Sequence, residues 1–165
     1  MASPTQYEGQ GFSLRGEKSR FVLPPDFRKD FEAKGDERVL CLGKHERWPC
    51  LKAFSKSAVA GFEKILDREE DAALRRNQDF DRELRGAQLM SFTSIPFDAS
   101  GRFVMPDHLS GLAGLGDEIY FQAGIPFFTI WAPEKLYAMG PEWTNAQETC
   151  RSMAAEAARK KGKAK

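Results

Sequence analysis

Apolar residues recur along the chain with a spacing that predicts strands at four places. Each is a short run rich in β-branched and aromatic residues and is bounded by turn-forming residues, which is typical of a strand. The runs are residues 39–42, 50–54, 119–121 and 127–131. We therefore expect one β-hairpin in each half of the chain.

Two other segments have the composition and spacing of amphipathic helices. The first lies between residues 57 and 85, with Ser57 as a candidate cap and charged residues on its polar face. Its apolar positions recur at intervals of three and four: Val59, Phe62, Ile65 and Leu66. We expect this stripe to pack against the protein rather than against a membrane or a cofactor. The second helical stretch is predicted from Pro133 to about residue 158, with an interruption near Gly140.

The chain also contains an internal repeat. Residues 19–24 (SRFVLP) return as residues 101–106 (GRFVMP), and each copy is followed by an amphipathic stretch and a β-rich run. The offset between the copies changes only in two loops, 34–38 and 44–49, as is typical of a true duplication. For each module we therefore predict, in order, a strand, a tight turn, a strand that ends at proline, a helical turn and a hairpin.

The size of one module sets the predicted domain organisation. A lone unit of about 45 residues buries too little apolar surface to be stable, so the two modules are expected to share one barrel. The first module spans 10–52 and the second 92–135. A helical connector over 53–91 separates them, and a C-terminal helix and basic tail follow over 136–165.

The repeated turn carries the candidate chemistry. In the second copy, Asp98 can accept backbone N–H groups as an Asx turn, and Gly101 can take a positive φ. Arg102 then leaves the turn at an exposed lip with Asp98 as an orienting partner, and an oriented guanidinium matches guanine O6 and N7. The alternative is that Asp98 and Arg102 only hold the turn together.

The first copy has a different turn. It keeps Arg20, but Gly16 replaces the aspartate and Ser19 replaces the glycine. Basic residues crowd around it and fit contacts to phosphates, although such runs are usually solvated faces. They are Arg15, Lys18, Arg20, Arg28 and Lys29.

Composition and charge exclude several classes of protein. The chain has 165 residues, of which 41% are hydrophobic and 30% charged, as in a soluble globular domain. We expect no membrane span, because the longest apolar stretch, 119–132, is too short and is interrupted, and no secretory signal, hence a cytoplasmic protein. The net charge is +1, but residues 151–165 carry six basic residues against Glu156. This tail either attracts phosphates or, as is commoner, only keeps the protein soluble.

Candidate residues for an enzyme or a metal site are few. The two histidines, His45 and His108, stand in no triad or metalloprotease context, so no catalytic function is predicted. Cys41, His45 and Cys50 lack a fourth ligand and are expected to be packing residues. With Cys150 the cysteines number three, which argues against a disulfide framework. We predict no metal and no cofactor.

The motifs around both turns resemble those of the MraZ family. In the second half the resemblance rests on Asp98, Gly101 and Arg102, the following Met-Pro, residues 113–115 (AGL) and residues 129–131 (TIW). In the first half it rests on residues 18–20 (KSR), 24–28 (PPDFR) and 50–55 (CLKAFS), the last with Phe-Ser where the family has Tyr-Pro. The resemblance covers roughly residues 10–135.

This resemblance implies both a fold and a function. The fold is α+β, a swapped-hairpin AbrB-like β-barrel built from two pseudo-repeated modules in one chain. The protein is then a cytoplasmic, nucleoid-associated transcriptional regulator of the division and cell wall gene cluster. It would bind double-stranded DNA at closely spaced G-rich direct repeats in its own promoter, as a ring-shaped homo-oligomer.

The resemblance also implies which residues touch DNA. The family's Asp-x-x-x-Arg turns correspond to Asp98 and Arg102 here, and to Arg20 without its acidic partner. We expect Arg102 to read guanine, while Lys18, Arg20 and Arg28, with Arg15 nearby, hold the backbone. The alternative function is an AbrB-like antitoxin that binds a protein. Duplication within one chain and a tail without aromatic anchors argue against it.

Overall fold

A computed structural model describes residues 6–163, and its strands follow the order that the repeat predicts. The strands are β1 Tyr7–Leu14, β2 Arg20–Val22, β3 Val39–Lys44, β4 Leu51–Ser55, β5 Thr93–Pro96, β6 Arg102–Val104, β7 Glu118–Gly124 and β8 Phe128–Trp131. The helices within the described residues are α1 Pro25–Ala33, α2 Phe62–Arg75, α3 Arg82–Leu89, α4 Asp107–Ala113, α5 Pro133–Tyr137 and α6 Thr144–Lys163. All four predicted strand runs are strands, and the mixed α and β class is confirmed.

The two halves of the chain interleave in the sheets. A six-stranded antiparallel sheet has the order β1-β7-β8-β4-β3-β5, and β2 pairs with β6 in a separate two-stranded ribbon. The first strand of each half therefore pairs with the third strand of the other half, β1 with β7 and β5 with β3. The fourth strands, β4 and β8, pair with each other at the centre. Neither half has a sheet of its own.

The core lies between the central strands and helix α1. The rings of Phe27 and Phe128 are 4.4 Å apart, and Phe31 packs edge-on against Phe97 at 5.7 Å. Every residue of β4 and β8 is buried, which fits the predominance of apolar side chains in both strands. Lys52 in β4 is the charged exception, and its Nζ donates to Glu46 Oε1 at 2.6 Å.

A second apolar cluster fixes the C-terminal helices against the sheet. The indole of Trp143 lies 4.7 Å from that of Trp48 and 5.0 Å from that of Trp131. Cys150 of α6 is buried in the same cluster. The interruption predicted near Gly140 falls between α5 and a short 3-10 turn, Pro141–Trp143, that leads into α6. Lys165, at the end of the predicted basic tail, lies outside the described residues.

The connector differs in detail from the single helix that its composition predicts. Strand β4 runs on to Ser55, and a 3-10 segment, Lys56–Gly61, precedes α2. Ser57 does not cap a helix, because its N–H and hydroxyl both donate to the Asp36 carboxylate, at 2.9 and 2.7 Å. The helix breaks at Asn77, whose φ is +52°, and α3 restarts at Asp81, whose carboxylate accepts the N–H of Leu84. No helix among residues 6–163 is long and apolar enough to cross a bilayer.

Candidate nucleic-acid interface

The β2–β6 ribbon brings the two repeated arginines onto one exposed face. Its register places Phe21 opposite Phe103, with Arg20 opposite Val104 and Val22 opposite Arg102. Because side chains alternate along a strand, both phenylalanines point into the core and are buried. The outer face therefore carries two arginines and two valines, related by an approximate two-fold axis. Val22 and Val104 are among the exposed large apolar residues of the described chain.

The second turn holds Arg102 in a defined position. Asp98 Oδ1 accepts the N–H groups of Ser100 and Arg102, both at 2.9 Å, and Asp98 Oδ2 accepts Arg102 Nε at 2.8 Å. The bonds from Arg102, first its backbone N–H, lower the pKa of the Asp98 carboxyl below its usual value. No residue between 6 and 163 binds the two terminal nitrogens of Arg102, and the side chain is 53% exposed. Those nitrogens are available for a ligand.

Gly101 closes this turn at a position that disfavours any residue with a Cβ. Its φ is +87°, in the left-handed region that favours glycine. A Cβ there would lie 2.7 Å from the carbonyl oxygen of Leu23 and 2.9 Å from both Cδ and Nε of Arg28. The carbonyl of Gly101 accepts the N–H of Leu23 at 2.8 Å. The turn is thus packed against the other half of the chain.

Arg28 lies beside the second turn rather than with the basic residues around the first. Its Nη1 donates to the carbonyl of Ala99 at 3.3 Å, and its Nε is buried without a hydrogen-bond partner among the described residues. The reason is topological. Because β2 and β6 are antiparallel, helix α1, which follows β2, begins next to the turn that precedes β6. The sequence pattern groups Arg28 with Arg15 and Lys18, whereas in the structure its guanidinium contacts the second turn.

The first turn has the same backbone outline but weaker support. The N–H of Gly16 donates to the carbonyl of Arg20 at 2.7 Å, as the N–H of Asp98 does to that of Arg102. Lys18 and Ser19 have φ values of +60° and +58°, which cost roughly 1 kcal/mol or more each for residues with a Cβ. Gly16 also has no side chain to hold Arg20. Arg20 is therefore less fixed than Arg102.

Arg15 is engaged within the protein. Its Nε is 3.2 Å from Asp117 Oδ1, and its Nη2 donates to the carbonyl of Gly116 at 3.0 Å. Its guanidinium also lies 5.0 Å from the centre of the Phe21 ring. These contacts link the start of the first turn to the loop before β7, and they partly neutralise the charge of Arg15.

The residues around His45 have packing roles. His45 Nδ1 accepts the N–H groups of Arg47 and Trp48, at 3.1 and 3.3 Å, and its ring stacks on Trp48 at 4.5 Å. Burial lowers the pKa of His45 to about 4 and raises that of the Cys50 thiol to about 12. Within residues 6–163, no three His, Cys, Asp or Glu side chains come together as a metal site would require.

Two features of the interface escape the sequence reasoning. The outward valines, Val22 and Val104, look like core residues in the linear pattern, and the contact of Arg28 with the second turn crosses between the halves. A signal for both exists in the repeat. If equivalent strands are assumed to pair, β2 with β6, then the register and the cross-module contact follow.

Comparison with known proteins gives relatives of one kind. No protein-family model matches the chain. It is 29% identical over 125 residues to the transcriptional regulator MraZ of Parvibaculum lavamentivorans, covering 76% of this chain and 74% of that protein. It is 28% identical over 118 residues to MraZ of Gluconacetobacter diazotrophicus (70% and 72%) and 26% identical over 121 residues to MraZ of Caulobacter vibrioides (73% of each).

These relatives are named as regulators of transcription and not as enzymes, and they support the class of DNA-binding transcriptional regulators for this chain. The motif resemblance described above is confirmed by the same matches. The chain is a homologue of the MraZ transcriptional regulators.

Proposed function

We propose that the chain is a sequence-specific DNA-binding regulator that contacts DNA through the outer face of the β2–β6 ribbon. The observation that carries the proposal is the guanidinium of Arg102, held by Asp98 on an exposed face that also carries Arg20. A two-stranded ribbon is narrow enough to enter the major groove. The names of the MraZ relatives support the same function.

The chemistry of the face suits guanine and phosphate. With Nε bonded to Asp98, the terminal nitrogens of Arg102 are free to donate to guanine O6 and N7 as a pair. Lys18 and Arg20 add positive charge that suits phosphate oxygens. Arg28 supports the second turn from behind. Arg15 fixes the base of the first turn, so its part is indirect.

We propose further that the two modules, 10–52 and 92–135, share one swapped-hairpin barrel of the AbrB type, with the connector at 53–91 between them. The exchange of strands supports this, because β1 pairs only with the second half and β5 only with the first. A barrel shared in this way places both turns beside a single ribbon, so one chain presents one DNA-binding face.

One such face offers few contacts to DNA, so binding by several copies of the chain is favoured. Two arginines and a lysine cannot give high affinity alone, but several copies bound to several sites gain through effective concentration. The proposed assembly is a ring of identical chains on closely spaced G-rich direct repeats in the protein's own promoter. The proposed target is the division and cell wall gene cluster, and the proposed location is the nucleoid in the cytoplasm.

The test is a binding titration of the purified chain. The DNA upstream of its own gene and a scrambled duplex of equal length are compared at two salt concentrations, and the particle mass is measured in parallel. We expect a large oligomer that prefers the upstream duplex at both salt concentrations. Equal, weak and strongly salt-dependent binding to both duplexes by a monomer would contradict the proposal.

A further inference from the structure

The C-terminal end of α6 lies beside the strand that leads into the first turn. Ala158, Lys161 and Gly162 border an open hollow whose other wall includes Leu14, the last residue of β1. Lys161 also borders an adjoining hollow with Arg15. The first turn starts at the next residue after Arg15. The basic end of α6 and the first turn are therefore neighbours on one surface.

The position of this helix end is fixed by buried contacts further back along α6. Gln147 is buried, and its Nε2 donates to the carbonyls of Leu136 and Met139, at 3.0 and 2.9 Å. Cys150 is fully buried, and the Tyr137 hydroxyl donates to its sulfur at 3.5 Å. A helix of 20 residues is about 30 Å long. Because its first half is fixed by these buried contacts, its direction is fixed as well, and its exposed end lies near the first turn.

The charges at this end are mostly uncompensated. Lys160, Lys161 and Lys163 are exposed, and among the described residues only Lys160 of the three forms an ion pair, with Glu156 at 3.8 Å. A pair that long and that exposed contributes little. The adjoining hollows also contain three carboxylates, of which Asp117 is paired with Arg15. The remaining two, Glu118 and Glu134, are fewer than the lysines.

The end of α6 lies beside the turn of the DNA-binding face that has fewer supporting contacts. The second turn has Asp98 and Arg28 to support it, but no carboxylate among residues 6–163 pairs with Arg20 in the first turn. At the position of α4 that corresponds to Arg28 the chain has Ser110. Lysines in the last turn of a helix are also favoured by the helix dipole, which gives them a reason to be there without DNA. The experiment has to separate these two roles.

We propose that Lys160, Lys161 and Lys163 bind the phosphate backbone of duplex DNA next to the first turn, and this proposal rests on the proposed function. The lysines neutralise phosphates without reading bases. They strengthen binding to every duplex by a similar factor, and they make the half of the face that carries Arg20 an electrostatic anchor while Arg102 reads sequence.

The test compares two triple variants with equal loss of charge. The first replaces Lys160, Lys161 and Lys163 by alanine, and the control replaces the exposed Lys64, Arg75 and Arg76 of α2 and its end by alanine. Affinity for the upstream and scrambled duplexes is measured over a range of salt concentrations. The slope of log affinity against log salt is negative, and each lost phosphate contact reduces its magnitude by about 0.9, so we expect a reduction of about 2–3 for the first variant. We expect the control to keep the wild-type slope, and the ratio of specific to non-specific affinity to stay unchanged in both.

The outcomes are distinguishable. If the first variant has the slope of the control while the wild-type chain prefers its upstream duplex, the lysines do not touch DNA and only this inference fails. If the wild-type chain has no preference, the proposed function fails and takes the inference with it. Circular dichroism of both variants checks that α6 and α2 remain folded, since alanine is compatible with either helix.

Discussion

Phe21 and Phe103 lie directly opposite one another in the β2–β6 ribbon, with ring centroids 6.4 Å apart and both side chains buried. They occupy equivalent positions of the repeat, so the approximate two-fold axis of the chain passes between them. Because both rings point inward, the residue before each ring points outward. This alternation is why the two repeated arginines, Arg20 and Arg102, emerge on the same face.

The packing at Gly101 predicts opposite effects for the same substitution at two glycines. Gly101→Ala forces a Cβ into the left-handed region and against Leu23 and Arg28, so we expect a loss of about 1–3 kcal/mol in the free energy of unfolding. Gly111→Ala is the control, because this glycine lies within α4 with nothing within 4 Å of its Cβ position. Alanine there should stabilise the protein by up to about 1 kcal/mol. Denaturant unfolding measures both, and a neutral Gly101→Ala would contradict the close packing.

The Asp98 carboxylate does two separable things, and Asp98→Asn divides them. The amide oxygen still accepts the N–H groups of Ser100 and Arg102, but the variant loses the negative charge that pairs with Arg102 Nε. We expect a folded protein with near wild-type stability and a reduced preference for the upstream duplex, by a smaller factor than Arg102→Ala produces. Competition binding against scrambled DNA measures it. An unchanged preference would show that the ion pair does not orient the reading group.

Lys18 is predicted to act on phosphate alone. Its side chain is exposed in the first turn, and a lysine is a point charge without the planar fork that reads guanine. Lys18→Ala should therefore weaken binding to upstream and scrambled duplexes equally and reduce the magnitude of the salt slope by about 0.9. Lys64→Ala, which removes the same charge from α2, is the control and should change neither. A selective loss on the upstream duplex would instead place Lys18 at a base.

The lowered pKa of His45 implies that the stability of the protein depends on pH. An unfolded histidine titrates near 6.5, whereas burial lowers the pKa of His45 to about 4, so between these values the unfolded chain binds more protons. The free energy of unfolding should then fall as the pH drops from about 6.5 to 4, with roughly 1–2 kcal/mol from this group after allowance for its partial exposure. His45→Gln should make that fall shallower in urea unfolding at pH 7 and pH 4.5. Parallel pH profiles for the two proteins would rule out the buried neutral ring.

Much of the fold could be predicted from the sequence because local patterns determine it. The strand runs at 39–42 and 127–131 are largely buried and therefore read as predominantly apolar runs. The repeat also gave the order of elements. The break in the connector at Asn77 was not predicted, since its composition is uniformly helical and only the restart at Asp81 carries a local cap. Ser57 had a competing partner, Asp36, that is distant in sequence.

The candidate site was predictable where it is local and not where it depends on contacts between the halves. The Asp98–Arg102 turn is contained in five residues, so its hydrogen bonds follow from residue types. The position of Arg28 depends on the antiparallel pairing of β2 with β6, which places it 3.3 Å from a carbonyl 71 residues away. The approach of α6 to the first turn depends on the packing of Trp143 and Cys150, and no local pattern shows it.

The central claim is that Arg102 reads sequence, and the ratio of affinities for the upstream and scrambled duplexes tests it most directly. For Arg102→Ala we predict that affinity for the upstream duplex falls by about 10- to 100-fold while affinity for the scrambled duplex changes little. Arg102→Lys, which keeps the charge without the fork, should lose most of the same preference. An equal loss on both duplexes for Arg102→Ala, with preference retained, would contradict base reading and leave Arg102 only a phosphate contact.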